Sequence, residues 1–234
     1  MSGYPLRGRH GDTVRVIGRR VVDGHYQPGA TLDPEALAAE LGVSRTVLRE
    51  ALKVLSAKGL IDARPTRGTY VLPRGSWNLL DPDLLDWHAD AGYTGRFLAE
   101  LTELRLVTEP SIAGLASGRR TADALRPMAA ALTAMRVARL DRDAFVVADV
   151  RFHQAVLRAS RNELLSQIGP VIEAALRAAA VRPASCPSLI VSHQALFEQI
   201  RDGDGPAATA SMRAVVQAEG GRSVDVDQRQ PLPA

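Results

Sequence analysis

Cysteine is nearly absent from this chain: Cys186 is the only one in 234 residues. A lone thiol excludes a disulfide framework and a zinc site built from several thiolates. Long apolar runs are missing too, since none reaches the roughly 18 residues that a membrane span needs. Met1 to Arg9 lack the apolar core of a signal peptide, so the expected compartment is the cytoplasm. Lysine is scarce: Lys53 and Lys58 are the only two, and the other 27 of the 29 basic residues are arginine. Internal repeats and low-complexity segments are also absent.

What is present is ordinary for a globular protein. The hydrophobic fraction of 46% and charged fraction of 24% exclude a disordered or fibrous chain. The length allows one large domain or two small ones. Charge is unevenly spread. Residues 1–75 carry 12 basic against 7 acidic residues, net +5, and residues 76–234 carry 17 against 19, net −2. A basic first third points to an anion-binding module, and a solvated basic face is the bland alternative.

The turn-rich stretch Pro73-Arg74-Gly75-Ser76 separates two textures. The first part reads as three helices and a hairpin. Val14, Ile17 and Val21 share one face of a short helix over Val14 to Val22. Asp33 caps a second helix with Pro34 at its first position, and Gly42 ends it. Ser44 caps a third, Arg45 to Lys58, which ends at Gly59. The tight turn between the last two makes a helix-turn-helix. Two short strands, Leu60 to Arg64 and Thr69 to Leu72, flank the turn Pro65-Thr66-Arg67-Gly68 as a wing. On the third helix Val47, Leu48, Ala51, Leu52 and Leu55 can face a core. Arg45, Thr46, Arg49 and Lys53 lie on the other side, suited to a major groove. Arg45 and Arg49 share a face, with Glu50 placed to restrain an arginine. In the wing, Arg64 and Arg67 flank Gly68, which permits close backbone approach to DNA.

These motifs resemble the winged helix of GntR-family transcription regulators. The resemblance rests on Leu32 to Ala38, Leu41-Gly42-Val43-Ser44-Arg45-Thr46, Leu48-Arg49-Glu50-Ala51-Leu52, Gly59-Leu60-Ile61 and Arg67-Gly68-Thr69-Tyr70-Val71, and it spans most of residues 10–73. It implies that Arg45, Thr46, Arg49 and Gly68 contact DNA; Arg67, beside Gly68 in the wing, is expected to join them. One departure is Glu35, which stands where many members carry a DNA-reading arginine.

After residue 76 apolar residues recur at helical spacing almost to the C-terminus, with prolines at 82, 110, 127, 170 and 183–187 read as breaks. Phe97, Leu101, Leu104 and Val107 give one stripe; Phe145, Phe152 and Val156, a run from Val171 to Val181, and Leu196, Phe197 and Ile200 give others. Residues 227–234 read as a frayed tail. Polar groups interrupt the stripes. Asp149 and His153 are four apart and point the same way on a helix, which suits either a divalent ion or a plain hydrogen bond. His193 lies on a later helix. Arg105 sits amid Leu101, Leu104, Leu106 and Val107. It suits an ion pair with Glu103 or Glu109, or reception of a ligand carboxylate.

Glu103-Leu104-Arg105 with Glu109, Asp149-Val150-Arg151-Phe152-His153, Ala159-Ser160-Arg161-Asn162 and Ser192-His193 before Gly203-Asp204 resemble the FCD effector domain of the FadR subfamily. In that subfamily an aspartate and three histidines hold a metal, and an arginine near the first helix helps bind an organic acid. Asp149, His153 and His193 match three ligands. The fourth falls at Val215, which cannot coordinate, with Glu219 one turn later; a weakly held zinc or similar divalent ion is the expectation. Trp77 to Trp87 resemble the linker and first helix of galactonate-type regulators of sugar-acid catabolism.

The expected fold is mainly α: an N-terminal winged helix-turn-helix over 10–73, a linker and connecting helix over 74–93, and an all-α ligand-binding and dimerisation bundle over 94–218. The expected function is a homodimeric, ligand-responsive regulator that binds a double-stranded operator and responds to a small carboxylate, a sugar acid. Two rivals stay open. One is a metal-dependent enzyme using Asp149, His153 and His193, although no nucleophile or general-base constellation accompanies them. The other is a constitutive DNA-binding protein whose helical domain only dimerises.

Overall fold

The computed structural model describes residues 8–179 and 186–220. The chain divides into two compact units between Tyr93 and Thr94. Val181, Pro183 and the 227–234 tail lie outside the described residues.

The first unit runs α1 (Gly8–Val22), β1 (Thr31–Leu32), α2 (Pro34–Leu41), α3 (Arg45–Ala57), β2 (Ile61–Arg64), β3 (Gly68–Val71) and α4 (Pro82–Asp90). Local chemistry explains the helix ends. Asp33 accepts from the Glu35 and Ala36 amides ahead of Pro34. Gly42 takes the left-handed φ of 62° that a bulkier residue would resist. Ser44 caps α3 through the Val47 amide. Val14, Ile17 and Val21 of α1 meet Leu48, Ala51 and Leu55 of α3 in one apolar core, while Val47 and Leu52 are half-buried.

The wing differs from the two-stranded expectation. It is a three-stranded antiparallel sheet in the order β1-β3-β2, with Thr31 opposite Tyr70 and Arg64 opposite Gly68. Two residues carry no strand signal of their own; β1 exists because β3 supplies its hydrogen-bond partners. α4 is fastened to this unit. Lys58, past the end of α3, pairs with Asp81 at 2.8 Å and Asp83 at 2.6 Å, at the start of α4. The Trp87 ring fills the space beside Gly18, where any Cβ would collide with it.

The second unit is helical among its described residues: α5 (Gly95–Arg119), α6 (Ala122–Val137), α7 (Arg142–Ala159), α8 (Glu163–Ser166), α9 (Gly169–Ala179), α10 (Cys186–Asp202) and α11 (Gly205–Gly220). α5 packs most extensively on α11, and α6 on α7. Phe152, Met128, Leu132, Met135, Leu196 and Val215 lie in the apolar core. Two prolines read as breaks are not breaks: α5 continues through Pro110 and α6 through Pro127. Proline costs a helix one backbone hydrogen bond. At Pro110 the carbonyl four residues earlier, on Leu106, meets Arg213 of α11 at 3.5 Å instead. Pro82 and Pro170 sit in first turns, where no such bond is lost; Pro187 lies inside α10.

The α5 stripe also needs correction. Phe97 and Leu101 are buried, but Val107 is 68% exposed. The inward face continues instead through Arg105 and Glu109 to Ala113 and Ala116, so charged residues occupy core positions.

Candidate functional site

In the first unit the outward face of α3 is as expected: Arg45, Thr46, Arg49 and Lys53 are all exposed. Their side-chain partners are less so. Arg45 pairs with Glu35 at 2.9 Å, joining the start of α3 to the start of α2. Glu50 pairs with Lys53 at 2.8 Å rather than with an arginine; they are three apart, so one face holds both. In the wing, Arg67 lies 3.8 Å over the Tyr70 ring and donates to the Gly29 carbonyl at 3.2 Å. Arg64 pairs with Asp62, which also accepts from the Tyr70 hydroxyl. That hydroxyl, ahead of the Ala63 amide, holds the Asp62 carboxyl below its usual range. Gly68 has φ 74°, the conformation that glycine alone adopts cheaply.

In the second unit three helices aim four donors at one point: α7 supplies Asp149 and His153, α10 His193, and α11 Glu219. All four residues are buried. His193 Nε2 stands 3.0 Å from Asp149 Oδ1 and 3.3 Å from His153 Nε2. His153 Nε2 is 3.5 Å from Asp149 Oδ1. Glu219 Oε1 is 3.7 Å from His153 Nε2 and 3.6 Å from His193 Nε2. Asp149 Oδ1 and Glu219 Oε1 are buried without a hydrogen-bond partner. Val215 is also fully buried, in the apolar core, so Glu219 joins the cluster in place of a ligand there.

The far side of each imidazole is spoken for. His193 Nδ1 meets the Leu189 carbonyl at 2.8 Å, an acceptor only, so this nitrogen carries the proton. His153 Nδ1 is hydrogen-bonded to Glu109 Oε2. When both rings are neutral, Nε2 is therefore the lone-pair atom on each, and two nitrogens and two carboxylate oxygens face one another as acceptors. Donors about 2.1 Å from a tetrahedral ion stand about 3.4 Å apart, close to the separations found. Charge agrees: the carboxylates of Asp149, Glu109 and Glu219 against the guanidinium of Arg105 leave a formal −2, which one divalent ion cancels. The residues fit a divalent cation.

Arg105 is buried and closes a ring around this point. Its Nε bonds Glu109 Oε1, and its Nη2 bonds Glu219 Oε2 at 2.6 Å. Glu109 in turn holds His153. The expected intramolecular partner is thus Glu109, joined by Glu219, while Glu103 is exposed. Burial drives the Glu219 carboxyl upward, but Arg105 and then His153 outweigh it and hold it well below the usual range. Burial likewise lowers His153, but Glu109 and then Glu219 push it up to about 10. His193 moves up as well, with Asp149 outweighing burial.

Glu109 and Glu219 hold central places in the ring that their sequence positions mark only weakly. A signal existed for Glu109, which is four residues from Arg105 and so shares its helix face. None existed for the pairing of Arg105 with Glu219, which are 114 residues apart.

Comparison with known proteins decides the family. Residues 12–71 match the bacterial regulatory proteins of the gntR family, and residues 100–218 match the FCD domain. The galactonate operon transcriptional repressor of Escherichia coli (strain K12) is 39% identical over 201 residues, 83% of this chain and 88% of that protein. The chain belongs to the GntR family of transcription regulators. This GntR-family protein is a DNA-binding, ligand-responsive regulator, not an enzyme, which sets aside the catalytic rival for its metal-ready cluster. The HTH-type transcriptional regulator LutR of Bacillus subtilis (strain 168) is 30% identical over 83% of this chain and 91% of that protein. The solved structure of Lar, which controls expression of the Listeria monocytogenes agr system, shares the fold with TM-score 0.63 at 15% identity, over 97% of this chain and 100% of that one. Among the described residues no helix is long and apolar enough to cross a membrane.

Proposed function

We propose that this protein is a cytoplasmic, homodimeric repressor of a sugar-acid catabolic operon, released from its operator when the acid binds the second unit. The observation that carries the reading is the buried ring that joins Arg105 to the Asp149–His153–His193–Glu219 cluster. It combines a carboxylate-binding cation with donors suited to a divalent ion. The resemblance to a galactonate operon repressor supports a sugar acid as effector.

In this reading Arg45, Thr46 and Arg49 enter the major groove, where arginine reads guanine or grips phosphate. Arg67 leaves Gly29 to meet DNA beside Gly68. Two copies place two recognition helices about one turn apart on a palindromic operator. Asp149, His153, His193 and Glu219 would hold zinc or a similar ion, which when bound supplies coordination for the effector's oxygens. Arg105 takes the effector's carboxylate in exchange for one of its two glutamates. An effector shifts DNA binding only by its differential affinity for the two states, so it must remake contacts rather than add to them.

The test pairs footprinting upstream of neighbouring genes with calorimetry against aldonic acids, their lactones and neutral sugars. Arg105→Lys keeps the buried charge but loses the planar fork. The acid alone is expected to bind and to release DNA, and Arg105→Lys to weaken acid binding while operator affinity persists. Equal binding of neutral sugars would overturn the reading.

A further inference from the structure

Glu219 makes contacts that an incoming carboxylate would also make. Its Oε2 holds Arg105 Nη2 at 2.6 Å. Its Oε1 is a buried acceptor with no hydrogen-bond partner, aimed at the imidazoles of His153 and His193. One side chain thus spans the guanidinium and the donor cluster. Arg105 Nε on the same edge is taken by Glu109, so a carboxylate on a second molecule reaches Nη2 only when Glu219 gives it up.

The placement of Glu219 brings a carboxylate to Arg105 from another helix. Glu219 lies in the last turn of α11, one residue before Gly220. The same end is pressed against α5: a Cβ on Gly220 would collide with Thr102, three residues before Arg105. This part of α11 is therefore close enough to deliver a carboxylate to Arg105.

We propose that Glu219 is a tethered internal competitor, occupying the effector's carboxylate seat on Arg105 until an organic acid displaces it. This rests on the reading of Arg105 as the carboxylate receptor. Glu219 then sets the threshold of the regulator, since the acid must reach a concentration that outcompetes a permanently attached carboxylate. A seat filled nine-tenths of the time weakens the apparent affinity about tenfold. It also links the acid to the end of α11, which is anchored to Arg105 only while the seat is closed.

The experiment titrates D-galactonate, D-gluconate and acetate into the full-length protein by calorimetry in metal-free buffer, because Glu219 is also a donor of the proposed metal site. Wild type is compared with Glu219→Gln and Glu219→Asp, each checked for folding by circular dichroism. Glutamine keeps the shape but cannot compete as an anion, so Glu219→Gln is expected to bind acid about tenfold more tightly. Aspartate is one methylene shorter and should gain less. Equal or weaker acid binding by folded variants overturns the proposal. Hydrogen exchange on the wild type gives an independent reading: saturation with acid should deprotect the last turn of α11, and unchanged protection overturns the proposal. If wild type takes no aldonate but Glu219→Gln captures acetate, the competitor stands and the sugar-acid reading falls. If no acid binds any of the three proteins, both fall.

Discussion

The two units solve opposite problems with charge. The first keeps its arginines outside: its core of Val14, Ile17, Leu48 and Leu55 is apolar, and Arg45 pairs with Glu35 in the open. The second draws Arg105, Glu109, Asp149, two histidines and Glu219 into its interior. An exposed pair is worth little, about 0–1 kcal/mol. Breaking a buried pair costs far more, because the remaining charge has no water. A surface that meets DNA phosphate needs its charge free, and a buried site must pair the charge it holds.

The largest expected effect tests that contrast directly. Arg105→Ala leaves Glu109 and Glu219 buried against each other. It should destabilise the second unit by about 3–5 kcal/mol, read by denaturant titration, whereas Glu35→Ala should change stability by less than about 1 kcal/mol. Similar effects from the two would remove the distinction.

Chelation, which tests the proposed metal site, comes next. At free metal 100 times its dissociation constant, a bound ion adds about 2.7 kcal/mol, so chelation should lower the melting temperature of the second unit and leave the first unchanged. Uptake should weaken as the pH falls, since the imidazoles must lose protons to bind. The ion-free protein should show its own dependence. His153 is raised from 6.5 to about 10, so its charged form stabilises fully below pH 6.5, and that contribution is lost as the pH rises toward 10. Melting curves with and without chelator across this range check both signs.

Smaller effects lie in the first unit. Arg49→Ala should cost about 1–3 kcal/mol of specific DNA binding if it reads a base, and a uniform loss across sequences if it touches only phosphate. Unchanged operator affinity in a folded variant would remove it from the interface. Asp33→Ala should cost about 1 kcal/mol of stability, the usual worth of a helix cap, seen as a lower denaturation midpoint.

How much could be read in advance differs between the units in the same way. Asp33, Pro34, Gly42 and Ser44 act within a few residues of themselves, so the helix-turn-helix was legible from local chemistry. The two-residue β1 was not, because its partner Tyr70 is 39 positions away. Pro110 misled for the same reason: the loss it causes is local, but the Arg213 that meets the freed carbonyl lies on another helix.

The sequence by itself determined the helix caps, the outward basic face of α3, the helical character of the second unit, and the residue types its site would use. Only the tertiary structure decided what those residues do to each other. It brought Glu219 across 114 positions to Arg105, exposed Val107 and buried Glu109, and filled the place of a missing ligand at Val215 from the next turn of α11. The physical reason is burial: a charge in water scarcely depends on its neighbours, but a charge inside a helical core must find every partner it needs, and those partners are fixed by packing rather than by spacing along the chain.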